Sequence, residues 1–209
     1  MTHFRSRRTL ALSSVAAAAL ALAGCSSPES EPTASTTSIT SSTAADESTA
    51  PSAFLEAEGT LTAAPTDTAP QTAAASPDAA LTITDMRVGR HDDFDRVVYE
   101  FGGTGTPGWR AEVVSTASQQ GSGKPLAVAG AGILQVLVDG ASMPVSTGVE
   151  EYSGPNPIEV ENPGAVTEVR NAGTFEGTAQ TLIGLSDRDA SYRVYTLSDP
   201  TRLVVDVSR

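Results

Sequence analysis

Arg96-Val97-Val98-Tyr99-Glu100-Phe101 and Arg202-Leu203-Val204-Val205-Asp206-Val207 are two runs that echo each other in residue class along a chain of 209 residues. Side chains alternate across a strand with a period of two. Val97, Tyr99 and Phe101 therefore share one face, and Leu203, Val205 and Val207 share one face of the second run. The opposite faces carry Arg, Val and a carboxylate. If the two runs pair antiparallel, Arg96 stands opposite Asp206 and Glu100 opposite Arg202, and each such cross-strand pair contributes roughly 0.2–1 kcal/mol.

Outward from these runs the pattern repeats. Leu81 to Val88, Trp109 to Ser115, Pro125 to Ala129, Ile133 to Val138, Val166 to Arg170, Thr178 to Leu185 and Ser191 to Leu197 all read as short strands between turn residues. No window shows an apolar stripe of helical period with caps. Short β-branched segments at this spacing indicate an all-β domain, a β-sandwich of eight or nine short strands over residues 81–209. Residues 140–165 interrupt the pattern with Pro144, Pro155, Pro157 and Pro163, which reads as a long irregular loop of the kind that carries binding contacts.

The segment Arg90-His91-Asp92-Asp93-Phe94-Asp95-Arg96, together with Tyr192-Arg193-Val194-Tyr195 and Asp199-Pro200-Thr201-Arg202-Leu203-Val204-Val205-Asp206-Val207, resembles the AMIN-like domain of actinobacterial lipoproteins. The closing run is also similar to the end of AMIN domains proper. Those are β-sandwich modules, attached to cell-wall amidases and secretins, that target the envelope and are thought to bind peptidoglycan. The resemblance spans most of 81–209, with its specific motifs at the two ends. It implies targeting or binding; with no catalytic domain after Arg209, it implies no hydrolase activity, and it transfers no ligand residues.

The N-terminus reads as an address. His3, Arg5, Arg7 and Arg8 precede an Ala/Leu/Val-rich run from Leu10 to Ala23. As a helix that run spans about 21 Å, too short for a hydrocarbon core of about 30 Å. It matches the apolar region of an export signal, residues 1–24. Leu22-Ala23-Gly24-Cys25 resembles a bacterial lipobox, and the Cys is the sole one in the chain. The expected product is an extracytoplasmic protein anchored to the membrane through a lipidated Cys25. Ser6-Arg7-Arg8-Thr9-Leu10 also resembles a twin-arginine motif, so the export route stays open between the two systems.

Residues 25–80 are dominated by Ala, Ser, Thr and Pro, with eight acids and no base. Such a composition buries too little surface to offset the entropy of ordering, so the segment is expected to be a disordered tether. Its root-mean-square reach is roughly 40–45 Å.

Charge and chemistry narrow the function. A formal net charge of −12 argues against nucleic acid as a partner. One Cys and two His, His3 and His91, cannot build a Cys- or His-rich metal site. Asp92, Asp93 and Asp95 lack the spacing of a calcium loop and read as a solvated acidic turn with Asp95 paired to an arginine. Ser122-Gly123-Lys124 reads as an exposed hairpin loop. No nucleophile motif or dinucleotide fingerprint appears, and neither cofactor nor metal is expected.

Three residues are the candidates for ligand contact. Trp109 can stack on a sugar or, sharing a face with Ala111 and Val113, anchor the core. Tyr152 and Asn156 give the 140–165 loop an aromatic ring and an amide suited to glycan or peptide. The expected role is envelope binding, with peptidoglycan the first ligand. The alternatives are a non-catalytic contact with another envelope protein through an exposed strand edge, or, less favoured, a glycan hydrolase built on a carboxylate pair.

Overall fold

The computed structural model of the protein describes residues 62–209. The expected export signal, Cys25 and the part of the expected tether up to residue 61 lie outside the described residues. In chain order the elements are β1 (Gln71–Ala73), β2 (Ala80–Arg90), β3 (Phe94–Thr104), β4 (Gly108–Val114), β5 (Ala117–Ser118), β6 (Pro125–Leu126), β7 (Gly132–Asp139), α1 (Pro144–Thr147), β8 (Ile158–Glu159), β9 (Val166–Phe175), β10 (Thr178–Leu185), β11 (Tyr192–Leu197) and β12 (Arg202–Ser208). No helix among the described residues is long and apolar enough to cross a membrane.

The strands form an antiparallel six-stranded sheet, β1-β4-β7-β10-β9-β8, a four-stranded sheet, β11-β12-β3-β2, and the small hairpin β5-β6. The expected echo is a strand pair: β3 and β12 are antiparallel neighbours, with Arg96 opposite Asp206 and Glu100 opposite Arg202. Among the described residues there are twelve strands; beyond the segments expected, these add β1, which precedes residue 81, and β5 and β8, all three only two or three residues long and too short to show a period. The two large sheets pack face to face. Val97, Tyr99, Phe101, Leu203, Val205 and Val207 from one meet Leu134, Val136, Val138, Ala179 and Ile183 from the other in one apolar cluster.

Strand structure also precedes residue 81. Gln71 lies opposite Ala111 of β4, so β1 closes one edge of the six-stranded sheet. The Gln71 side chain does more. Its Nε2 donates to the Tyr192 carbonyl at 2.7 Å, and its Oε1 accepts from the Val194 amide at 3.0 Å. A side-chain amide thus imitates a strand along the free edge of β11, tying the two sheets together and blunting an edge that would otherwise invite pairing. The Tyr192 hydroxyl adds to the tie, 2.8 Å from the Ala69 carbonyl and 3.0 Å from that of Ala111. Composition hides this docking, since it is made of backbone groups and one glutamine.

The 140–165 loop covers the start of β2, the other edge of the four-stranded sheet. Leu81 exchanges backbone hydrogen bonds with Gly140 and Ser142, and the Tyr152 amide donates to the Ile83 carbonyl at 2.8 Å. The Thr82 and Thr147 hydroxyls meet at 2.7 Å.

Candidate functional site: an arginine and aromatic face

The motifs at the two ends of the domain converge on the outer face of the four-stranded sheet. β12 lies between β11 and β3, so its Asp206 stands opposite Arg193 on one side and Arg96 on the other. The Asp206 carboxylate has no exposed surface. It accepts from Arg96 through Nε at 2.6 Å and Nη2 at 3.0 Å, a two-pronged contact, and from Arg193 Nη2 at 2.7 Å. A buried carboxylate needs such partners, because an unpaired charge held away from water is expensive. The hydrogen-bonded carboxylate in turn holds the Arg96 guanidinium above its ordinary pKa.

Rings alternate with these cations. The Arg96 guanidinium carbon lies 5.1 Å from the Phe94 ring centroid and 5.8 Å from that of Tyr195, while Arg193 lies 5.7 Å from Tyr195. His91 stacks on Phe94 with centroids 4.4 Å apart and planes 12° from parallel. Within about 6 Å, each cation–ring contact is attractive. Burial, followed by the Asp206 charge, pushes the Tyr195 hydroxyl up to about 12. Two guanidinium groups thus converge on one buried carboxylate.

Beside the stack opens a cavity of about 190 Å³, lined by Thr62, His91, Asp92, Asp93, Phe94 and Arg96. Its walls carry a cation, two carboxylates and two rings, a mixture suited to a ligand bearing both an ammonium and a carboxylate. The neighbouring Asp95 is committed elsewhere. It is buried and accepts from Arg209 Nη2 at 2.6 Å and Nε at 3.0 Å, and from the Val166 amide at 3.1 Å, which is the arginine pairing expected of it. A Cβ at Gly164 would lie 2.5 Å from the Asp95 Oδ2 atom, so only glycine passes there. Among the described residues no group of three or more His, Cys, Asp or Glu is placed to hold a metal ion.

Trp109, Tyr152 and Asn156 lie away from this stack. Trp109, on β4 opposite Val138, is half-buried and packs against the main apolar cluster. Tyr152 packs there too, and its hydroxyl donates to the Pro155 carbonyl at 3.1 Å. Asn156 spends both ends of its amide on β9: Nδ2 donates to the Asn171 carbonyl at 2.8 Å, and Oδ1 accepts from the Asn171 amide at 2.9 Å. Sequence reasoning missed Arg193 as a second partner of Asp206 and Tyr195 as the ring beside both arginines. The available signal was their alternation on β11, one short turn before β12.

Residues 81–209 match the family model of the AMIN-like domain. No curated protein and no solved structure matches the chain.

Proposed function

The chain belongs to the AMIN-like domain family, a family of envelope-associated modules, and on that premise we propose that it binds peptidoglycan through the outer face of its four-stranded sheet. One observation carries the reading: the Arg96–Asp206–Arg193 cluster, layered with Phe94 and Tyr195, borders an open cavity with an acidic rim. The stem peptides of peptidoglycan bear carboxylates and free amines, which suit the guanidinium and the carboxylates of that cavity respectively. The protein acts by binding and not by catalysis. Cys25 carries the lipid that anchors it, and the segment after it lets the domain stand off the membrane to reach the wall.

Retention of the purified full chain on insoluble peptidoglycan, followed across a salt series, tests this. Wild type is expected to stay bound at moderate salt, and the exposed triple variant His91→Ala/Asp92→Asn/Asp93→Asn to lose about tenfold in retention. Equal retention of the two would remove the site. For the anchor, Cys25→Ser is expected to abolish incorporation of labelled fatty acid and to release the protein from the membrane fraction.

A second reading has its own observation. The later part of β2 is an edge of its sheet, and with Ile158–Glu161 it frames a cleft of about 300 Å³. An extended segment of another envelope protein laid along that edge would make the chain an interaction module. Crosslinks from Arg87 or Gly89 positions to a protein, with no retention on the wall, would favour it.

A further inference from the structure

The opposite outer face of the sandwich carries a second cleft, built by two hairpin tips. The β5-β6 hairpin lies over the six-stranded sheet, where Ala117 and Leu126 pack with Ile133, Leu182 and Ala172 in a small apolar cluster of their own. Its tip, Gln119–Lys124, is closed by the Gln119 amide donating to the Lys124 carbonyl at 2.8 Å and the Gly123 amide donating to the Gln119 carbonyl at 2.9 Å. The β9-β10 hairpin turns through Glu176 and Gly177, both left-handed at φ 46° and 81°. Two consecutive left-handed residues are the signature of the tight hairpin turn that matches strand twist. A register shift between Gln180 and Thr181 marks a bulge in the same hairpin, the device that re-aims residues beside functional sites.

Between the tips lies a cavity of about 340 Å³, lined by Gln119, Gln120, Gly121, Ser122, Ala172, Gly173, Thr174 and Phe175. Three of its properties combine. The lining carries no charged side chain, although the chain as a whole has a net charge of −12. Phe175 is 46% exposed, one of the few large apolar side chains left open to solvent. Its ring is seated against Gly121, where a Cβ would lie 2.9 Å from the ring carbons. Finally, the Gln120 Oε1 atom is buried and accepts no hydrogen bond, whereas the Gln120 backbone N–H donates to Gln180 Oε1 at 3.0 Å. A buried acceptor without a donor is costly, so a side-chain rotation that brings it to one is favoured.

From these features we infer that the cleft between the hairpin tips binds an uncharged sugar unit carrying an acetamido group. This deepens the peptidoglycan reading and rests on it: the arginine face takes the peptide part, and this cleft takes the glycan. The apolar C–H face of a pyranose stacks on an exposed ring, while its hydroxyls and acetamido group need neutral donors and acceptors. Gln119, Gln120, Ser122 and Thr174 supply both kinds. The volume sits at the small end of the roughly 300–1,000 Å³ range of ligand sites, as a short saccharide requires.

The test titrates the full chain with chitotriose, a peptide-free N-acetylglucosamine trimer, and follows backbone amide shifts by NMR. The expected result is saturable shifts at Gly121, Gly173 and Phe175, weakened at least tenfold by Phe175→Ala and retained in Phe175→Tyr. Gln120→Ala is expected to weaken binding severalfold, with amide spectra outside the two tips unchanged. Absence of shifts at the tips, in a protein that still binds whole peptidoglycan, would overturn the glycan cleft and leave the envelope reading standing. Saturable chitotriose binding with no retention on whole peptidoglycan would uphold the cleft and overturn the envelope reading.

Discussion

The two outer faces of the sandwich bury polar side chains in different ways. On the four-stranded sheet, Asp206 is surrounded by charge, with Arg96 and Arg193 hydrogen-bonded to it. On the six-stranded sheet, the buried Gln180 is surrounded by neutral groups. Its Nε2 donates to the Ser118 carbonyl at 2.9 Å and to Gln135 Oε1 at 3.1 Å, and its Oε1 accepts from the Gln120 amide. The charged set ties three strands of one sheet together. The neutral set holds a separate hairpin onto a sheet. The first arrangement suits an ionic ligand and the second an uncharged one.

The sharpest way to break the comparison is to remove the carboxylate. Asp206→Ala leaves two mostly buried guanidinium groups facing each other, and urea unfolding is expected to show a loss of about 3 kcal/mol. Replacing Arg96 and Arg193 with Met in the same chain should recover most of that loss, because it is the unpaired charge that destabilises. A continued deficit in the triple variant would mean that packing, not charge, governs the face. Gln180→Ala is expected to cost about 2 kcal/mol. Its signature is local, with faster hydrogen exchange at Ser118 and Gln120 than in the four-stranded sheet. A uniform acceleration would mean that the β5-β6 hairpin is integral to global stability.

Gln71→Ala removes two hydrogen bonds to β11 and should cost about 1–2 kcal/mol. Deleting residues up to 80 should cost more than that single change, since β1 goes with it. The tyrosine beside the charged set gives a pH signature. Tyr195 ionises near 12 in the folded protein and near 10 when unfolded, so the unfolded state releases its proton first. Stability should therefore fall as the pH rises from about 10. Tyr195→Phe should flatten part of that fall, leaving the shares due to Tyr192, which burial also pushes up to about 12, and to Tyr99, whose complete burial raises it further. The smallest effect belongs to the exposed pair Arg110–Asp139, 2.8 Å apart on the six-stranded sheet. Arg110→Ala is expected to change stability by no more than about 1 kcal/mol. The paired arginine holds the Asp139 carboxyl below its ordinary value, so this contribution is present near neutrality and lost as the solution becomes strongly acidic.

Much of the fold was legible because alternation is a local signal. β3, β7, β11 and β12 lie where apolar residues recur every second position, and the register of β3 with β12 follows from placing Arg96 opposite Asp206. Glu100 and Arg202 show the limit of that reasoning. They stand opposite each other, yet Glu100 reaches Arg87 at 3.3 Å, while Arg202 donates to the Pro200 and Ser198 carbonyls. Opposition in a ladder sets who can meet, and solvent-exposed side chains choose among neighbours. What the sequence hid depends on distant residues. The Gln71 bridge joins positions more than a hundred residues apart, and the hairpin-tip cleft joins Gln120 with Phe175. Trp109, Tyr152 and Asn156 stand out for their chemistry, and distant packing and hydrogen-bond partners that no local pattern names also hold each of them in place.

The most direct measurement is to map a soluble muropeptide, carrying both sugars and stem peptide, onto the full chain by amide and side-chain NMR shifts. The account predicts two separate sets of shifts, one at His91, Phe94, Arg96 and Tyr195 and the other at Gly121, Gly173 and Phe175. Shifts centred on Trp109 and Tyr152, or no shifts at muropeptide concentrations that saturate wall-bound protein, would contradict it.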